Sequence, residues 1–273
     1  NSISEIKDKK ILIWDEQGLG DTLQFSRFII DLLKFTKQIT FVVNSKLSQI
    51  LSDLDQNILV TNYDNINLES HDYQIPLCSI PKYLNIKKIE DFNFYKLNIK
   101  TGFENKIFLD NKKLNIGIAW SGNKKYFLDS YRSIPFKYFN NILKFQNINF
   151  FKLSKDNKDE EKNEYDLFPN LINLGDRSLV EVSEYIKNLD LIISSDTSII
   201  HLAGILNRKS ILLLNFNSDW RWFDDNTQTI WYPSIEIIKQ EKFDNWDTVF
   251  AKLENKINNL NLNIKKASKD SPF

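Results

Sequence analysis

Short apolar runs alternate along this chain with longer segments whose apolar residues recur at helical spacing. Residues 10–15, Lys-Ile-Leu-Ile-Trp-Asp, read as a buried strand. Residues 16–21, Glu-Gln-Gly-Leu-Gly-Asp, form a glycine loop, and residues 22–35 place Phe25, Phe28, Ile29 and Leu32 on one helical face. Residues 39–44 are the next expected strand, 45–54 a helix capped by Ser45, and 58–61 a third strand. Residues 62–100 are less regular, with a short apolar piece at 74–77 and a turn or helix opened by Pro81.

The pattern breaks over residues 101–113, where an interdomain linker is expected, and then restarts. Strand 114–120, loop 121–135, helix 136–145 and strand 148–153 follow, then a charged stretch at 155–164 that reads as solvated surface. Ser178-Leu-Val-Glu181 is a capping box opening a helix with Leu179, Val182, Ile186 and Leu189 on one face. Strand 210–215, an aromatic loop at 220–232, strand 235–238, a helix from about 246 to 257 and a loose tail at 260–273 complete the series. Two successive βαβ series predict an α/β protein of two facing, Rossmann-like, doubly wound domains, 1–105 and 106–273. Ligands of such sheets bind beyond the carboxyl ends of the strands, hence in the cleft between the domains.

The most informative stretch is 190–208. The apolar run 191–193 gives way to small polar residues and then to an apolar helical run, 199–206: a buried strand feeding a helix. Thr197 or Ser198 can cap that helix, so its first N–H groups, its dipole and His201 face the space above the strand. Such a corner suits an anion, phosphate first. His201 as a satisfied core histidine is the alternative. Gly204, one turn on, is expected to let the helix lie close to the sheet.

Composition narrows the class. With 273 residues, 36 basic and 36 acidic side chains and no net charge, the chain suits two domains and lacks the basic excess of a nucleic-acid binder. One cysteine, Cys78, excludes an internal disulfide, and two histidines make a transition-metal site improbable. There is no signal peptide and no apolar run of membrane-spanning length, so a location in the cytoplasm or peripheral to the inner membrane is expected. The chain has no methionine even at its start, which suggests a piece of a longer protein with upstream domains.

Gly18-Leu-Gly-Asp21 lacks the third glycine of a dinucleotide fingerprint, and Asp21 would set a carboxylate where a pyrophosphate belongs. Asp21 is better suited as a general base in a cleft, or as a helix cap. Arg132, with Lys124 and Lys125, follows the first strand of the second series and could stabilise a departing diphosphate; a solvated basic loop is the bland alternative. Asp53 and Asp55 form an Asp-x-Asp at the end of a surface helix and are discounted as metal ligands. Trp220, Trp222, Trp231 and Tyr232 could face a sugar or fill a domain interface.

Three stretches together resemble glycosyltransferase family 9. They are Gly-Leu-Gly-Asp-Thr-Leu-Gln-Phe-Ser-Arg-Phe at 18–28, Gly-Ile-Ala-Trp-Ser-Gly-Asn at 117–123 with Arg-Ser-Ile-Pro at 132–135, and Ser-Asp-Thr-Ser-Ile-Ile-His-Leu-Ala-Gly at 195–204. Asp219-Trp-Arg-Trp222, Trp231-Tyr-Pro233 and Asn245-Trp-Asp247 extend the likeness. The members resembled most are bacterial enzymes carried behind tetratricopeptide repeats, relatives of the ADP-heptose:lipopolysaccharide heptosyltransferases. The resemblance implies a GT-B fold and metal-independent, inverting transfer, without a cofactor, from a nucleotide-diphosphate sugar of ADP, UDP or GDP type. The acceptor would be a glycan, a lipid-linked glycan or a protein. Carried onto this chain, Asp21 would be the base, with Gly18, Gly20 and Gln24 in the acceptor loop. Asp196, Thr197, Ser198 and His201 would hold the donor, Gly175 and Arg177 would border the nucleotide, and Arg132 or Lys124 would take the place of a family lysine. Ser198 stands where the heptosyltransferases usually have glycine.

Overall fold

A computed structural model describes residues 3–66, 70–88, 91, 93–95, 109–110, 112–124, 126–127, 129–154, 165, 167–223 and 227–267. Its apolar runs fall into two parallel sheets. Strands β1 (Lys10–Trp14), β2 (Gln38–Val42), β3 (Ile58–Thr61) and β4 (Tyr73–Pro76) form the first, in the order β3-β2-β1-β4. Strands β5 (Leu114–Ala119), β6 (Ile148–Lys152), β7 (Leu171–Asn173), β8 (Leu191–Ser194), β9 (Ser210–Leu214) and β10 (Ile235–Lys239) form the second, in the order β10-β9-β8-β5-β6-β7.

Strand order reverses between β1 and β4 in one sheet and between β5 and β8 in the other, and such switch points open a crevice at the carboxyl ends of the strands. Along β5 and β8 every residue is buried, as in a sheet covered on both faces. One apolar core lies on the outer face of the second sheet, where Ile116, Ile118 and Phe150 meet Phe139 and Phe250. The other runs unbroken from Ile11, Phe28 and Phe41 of the first sheet to Ile192, Leu212 and Tyr232 of the second.

The helices joining the two halves are α1 (Leu19–Phe25), α2 (Arg27–Leu32), α3 (Ser45–Leu51), α7 (Leu179–Asn188) and α8 (Ser198–Ile205). Between them in the chain come α4 (Ile80–Tyr83), α5 (Asp129–Arg132) and α6 (Asn140–Leu143). Helix α1 packs on α8, and α3 on α7.

Several expected elements shift. The helix expected at 22–35 starts earlier and breaks at Ser26, whose Oγ takes the Leu23 carbonyl at 2.9 Å. Asn44, not Ser45, caps α3 by accepting the Lys46 N–H. Residues 74–77 prove largely to be strand β4, β7 was not foreseen, and the helix expected at 136–145 begins as a 3-10 turn, Phe136–Phe139. The last helix, α9 (Asp247–Ala267), runs well past 257, so the tail expected to be loose is helical as far as Ala267. Leu253, Ile257 and Asn261 anchor that extension, Asn261 pairing with Asn147. The expected domain boundary at 105/106, Lys125, the charged stretch 155–164 and residues 268–273 lie outside the described residues.

Candidate active site

The carboxyl ends of β1 and β8 each turn into a helix, and the two corners meet. After β8, Thr197 is the N-cap of α8, in extended conformation, its Oγ1 accepting from the Ile199 N–H at 3.3 Å. Ser194 Oγ donates to the Ser195 carbonyl (2.7 Å), so the Thr197 hydroxyl is the donor in its 3.2 Å contact with Ser194 Oγ. Ser198 is the first residue of the helix rather than its cap. The neutral cap leaves the positive end of α8 uncompensated by its own first turn, which holds no acidic residue.

Asp196 and His201 stand at this corner. His201 is 3% exposed, and its Nε2 is 3.7 Å from Asp196 Oδ1. Its Nδ1 lies 2.9 Å from the Tyr232 hydroxyl, and its ring stacks on Trp222 at 5.3 Å. Behind Tyr232 is Arg27, buried in α2, whose guanidinium lies over the Tyr232 ring at 4.8 Å from its centroid and whose Nη1 donates to the Trp231 carbonyl at 2.6 Å.

Burial pushes the Tyr232 phenol up and keeps it an O–H, and burial lowers the Arg27 guanidinium, partly offset by Tyr232. For Asp196, burial alone would raise the pKa. Bonding and charge from His201, the nearby Trp222 indole and the Arg221 charge outweigh burial and hold the carboxyl below the ordinary carboxylate value. The Trp222 N–H comes near without closing a well-formed hydrogen bond.

After β1, Gly18 is the N-cap of α1, and Asp21 Oδ2 folds back to accept the Gly18 N–H at 3.0 Å. A Cβ on Gly18 would lie 3.1 Å from that oxygen, so the glycine makes room for the carboxylate cap. The cap reading of Asp21 is thus realised by one oxygen. The other, Oδ1, is 2.7 Å from Arg221 Nη1, an ion pair between the two halves of the molecule rather than an aligned hydrogen bond. Gly20 touches the His201 ring, where a Cβ would come within 2.8 Å of Cδ2. Gln24 is fully buried in α1, and neither of its amide atoms has a hydrogen-bond partner among the described residues.

Arg221 has no assigned role in the sequence reading, although its Asp-Trp-Arg-Trp setting stands out there. It sits in a 3-10 turn, Trp220–Trp222, capped by Asp219, which also pairs with its Nη2 at 3.1 Å. The next residue, Phe223, has φ 55° and ψ 157°, a conformation costly for a side chain of this size. Trp222, Trp231 and Tyr232 are interface core, Trp231 meeting the rings of Phe25 and Phe28, whereas Trp220 is 64% exposed. Arg27 was also unassigned; its only signal was a cation on an apolar helix face.

Other expected residues lie apart from this network. Arg132 is on α5, its Nε bonded to the buried Asp129 at 3.0 Å and its guanidinium over Tyr126. Its loop leaves β5 beside β8, since Ser195 N–H donates to the Ala119 carbonyl, but Arg132 has no bond to Asp196 or His201 among the described residues. Lys124 is exposed in the same loop. Gly175 follows the edge strand β7 and has φ 72°, a turn that favours glycine. Arg177 pairs with Glu181 at 3.1 Å, beside the capping box of Ser178 and Glu181 that forms as expected. Gly204 corrects another expectation. A Cβ there would lie 2.4 Å from the Tyr232 ring, so the glycine admits an aromatic wedge, not the sheet. A hollow of about 510 Å³ lined by Lys10, Gln38 and Ile58 lies at the amino ends of β1 to β3, the wrong end for this site.

Neither a family model nor a curated protein matches the chain. Solved structures do. E. coli ADP-heptose LPS heptosyltransferase II is similar at TM-score 0.65 and 12% identity, over 94% of this chain and 99% of that one. A family 9 glycosyl transferase from Veillonella parvula is similar at 0.60 and 12%, over 86% and 87%. E. coli heptosyltransferase WaaC, solved with ADP, is similar at 0.58 and 12%, over 90% and 99%. What is shared at such identities is the fold: this chain has the α/β architecture of two parallel sheets seen in these heptosyltransferases.

Proposed function

We propose that the chain is a GT-B glycosyltransferase of family 9 type, which moves a sugar from a nucleotide-diphosphate donor to an acceptor hydroxyl without metal and with inversion. One observation carries this reading. A carboxylate at the start of α1 and a hydroxyl-capped helix start at α8, each just past a strand's carboxyl end at a switch point, meet across two facing sheets. Fold likeness over nearly the whole chain, including to a protein solved with ADP, supports it.

In the proposed reaction Asp21 Oδ1 takes the acceptor O–H proton, and the acceptor oxygen bonds to the donor's anomeric carbon. The bond from that carbon to the diphosphate breaks, its electron pair leaving with the phosphate. Thr197, Ser198 and the first N–H groups of α8 hold the diphosphate, with Asp196 and His201 lining the site. Arg132 and Lys124 approach from the β5 loop, Gly175 and Arg177 border the nucleotide, and Gly18 and Gly20 face the acceptor, whereas Gln24, expected there too, is buried in α1 and does not. The kinship to tetratricopeptide-linked members and a cytoplasmic location belong to the same reading. No helix among the described residues is long and apolar enough to cross a membrane.

A non-catalytic nucleotide-sugar binding module is the second reading, favoured by the engagement of both Asp21 oxygens. The test is a thermal-shift series with ADP, UDP, GDP, CMP and their sugar conjugates, His201→Ala alongside, followed by a transfer assay. A shift with one diphosphate that is lost in the variant, plus transfer, supports the enzyme. A shift without turnover supports the module. No shift with any of them removes both.

A further inference from the structure

Arg221 occupies a position that neither the cap at Asp21 nor the corner at Asp196 explains. Its Nη1 contacts Asp21 of the first domain and its Nη2 contacts Asp219 of its own turn, while its Nε is buried without a hydrogen-bond partner among the described residues. Its side chain is 16% exposed, so it is held rather than solvated. Its charge is felt by Asp196 and Tyr232 in the second domain and by Cys78 in the first. The guanidinium thus pairs with the carboxylate at the start of α1 from a turn whose next residue, Trp222, stacks on His201 of α8 at 5.3 Å. Asp219 and the strained Phe223 fix the short turn that carries it.

We infer that Arg221 is a donor-gated clasp: it pairs with Asp21 while the site lacks a diphosphate, and transfers to the donor's diphosphate when one binds at the start of α8. The inference rests on the glycosyltransferase reading and deepens it by naming a residue that couples donor binding to release of the base. The chemistry favours the exchange. A diphosphate offers more charge and more acceptor oxygens to a planar guanidinium than one carboxylate oxygen whose contact is not an aligned hydrogen bond. Once released, Asp21 Oδ1 is open to an acceptor hydroxyl, while Oδ2 keeps its hold on Gly18. Proton removal is thereby withheld until the donor is seated, and the same cation then faces the charge that leaves with the diphosphate.

The test is a double-mutant cycle read by titration calorimetry with ADP, UDP and GDP on wild type, Asp21→Asn, Arg221→Gln and the double variant. Arg221→Gln is expected to weaken the bound diphosphate about tenfold or more, and Asp21→Asn to tighten it about fivefold, because the competing carboxylate is gone. In the Arg221→Gln background the Asp21→Asn gain should vanish. A gain that persists there would show simple charge repulsion between Asp21 and phosphate, and would overturn the clasp. Unchanged affinity in Arg221→Gln would also overturn it while leaving the donor site standing. Failure of the wild type to bind any of the three would remove the glycosyltransferase reading and the clasp together. Arg221→Lys keeps the charge without the fork and guards against misfolding. It should fall between wild type and Arg221→Gln, with kcat reduced more than donor KM is raised; wild-type kinetics in this variant would count against the clasp.

Discussion

The two corners that meet at the cleft are built alike and differ in the charge of the residue that closes each helix. Both follow a buried strand and open a helix. At α1 the capping group is the Asp21 carboxylate, sitting in the first turn where it satisfies the Gly18 N–H and balances the helix dipole. At α8 the cap is the Thr197 hydroxyl, and no acidic side chain lies in the first turn. One corner thus caps its helix with a carboxylate, and the other caps it with a hydroxyl and keeps its carboxylate, Asp196, just outside the first turn beside His201. Two corners of like, extended cap geometry thus differ in the chemistry of the group that caps each helix.

Breaking the comparison at its charged member has the largest expected effect. Asp21→Asn keeps the fold and binds nucleotide at least as tightly but should lower sugar transfer by about 10²- to 10⁴-fold, measured as kcat with saturating donor. Full activity would reassign Asp21 as a cap alone.

Next comes the aromatic wedge between the corners. Gly204→Ala drives a methyl to 2.4 Å from the Tyr232 ring and should cost about 1–3 kcal/mol in denaturant unfolding. An unchanged midpoint would mean that the ring moves freely.

Thr197→Ala removes one hydroxyl cap and should cost about 1 kcal/mol, the same as Ser178→Ala at the start of α7. The two caps should part on nucleotide affinity, which falls for Thr197→Ala and holds for Ser178→Ala. Equal loss in both would indicate a general stability effect.

The smallest expected effect is on pH. Asp196 has a folded pKa below its ordinary value, so its contribution to stability is fully present above that ordinary value and is lost as pH falls through the lowered one. Asp196→Asn should therefore flatten the acid limb of the unfolding curve and leave its slope near neutrality unchanged.

Much of this was legible in the chain. The Ser178 to Glu181 box, the apolar run at 191–193 and a hydroxyl cap at 197 or 198 are local features: hydroxyl chemistry, apolar periodicity and spacing define them within a few residues, and the structure chose Thr197. Helix breaks were less legible. At Ser26 a side chain competes with the backbone for one carbonyl while the apolar face continues in phase, so periodicity showed no interruption. Strand β7 has three residues at a sheet edge with only one of them buried, too short a pattern to declare itself.

The sequence by itself determined the alternation of strands and helices, their parallel pairing and the chemical character of each corner, because those depend on neighbours in the chain. Only the tertiary structure decided who meets whom. That Asp21 would face Arg221, some two hundred positions later in the chain, follows from two sheets docking through α1 and α8, as does the line from Arg27 through Tyr232 and His201 to Asp196. Gly204, read as a helix–sheet contact, accommodates Tyr232 for the same reason. Long-range partners are selected by the packing of whole faces, and no local pattern records which face the chain will bring to which.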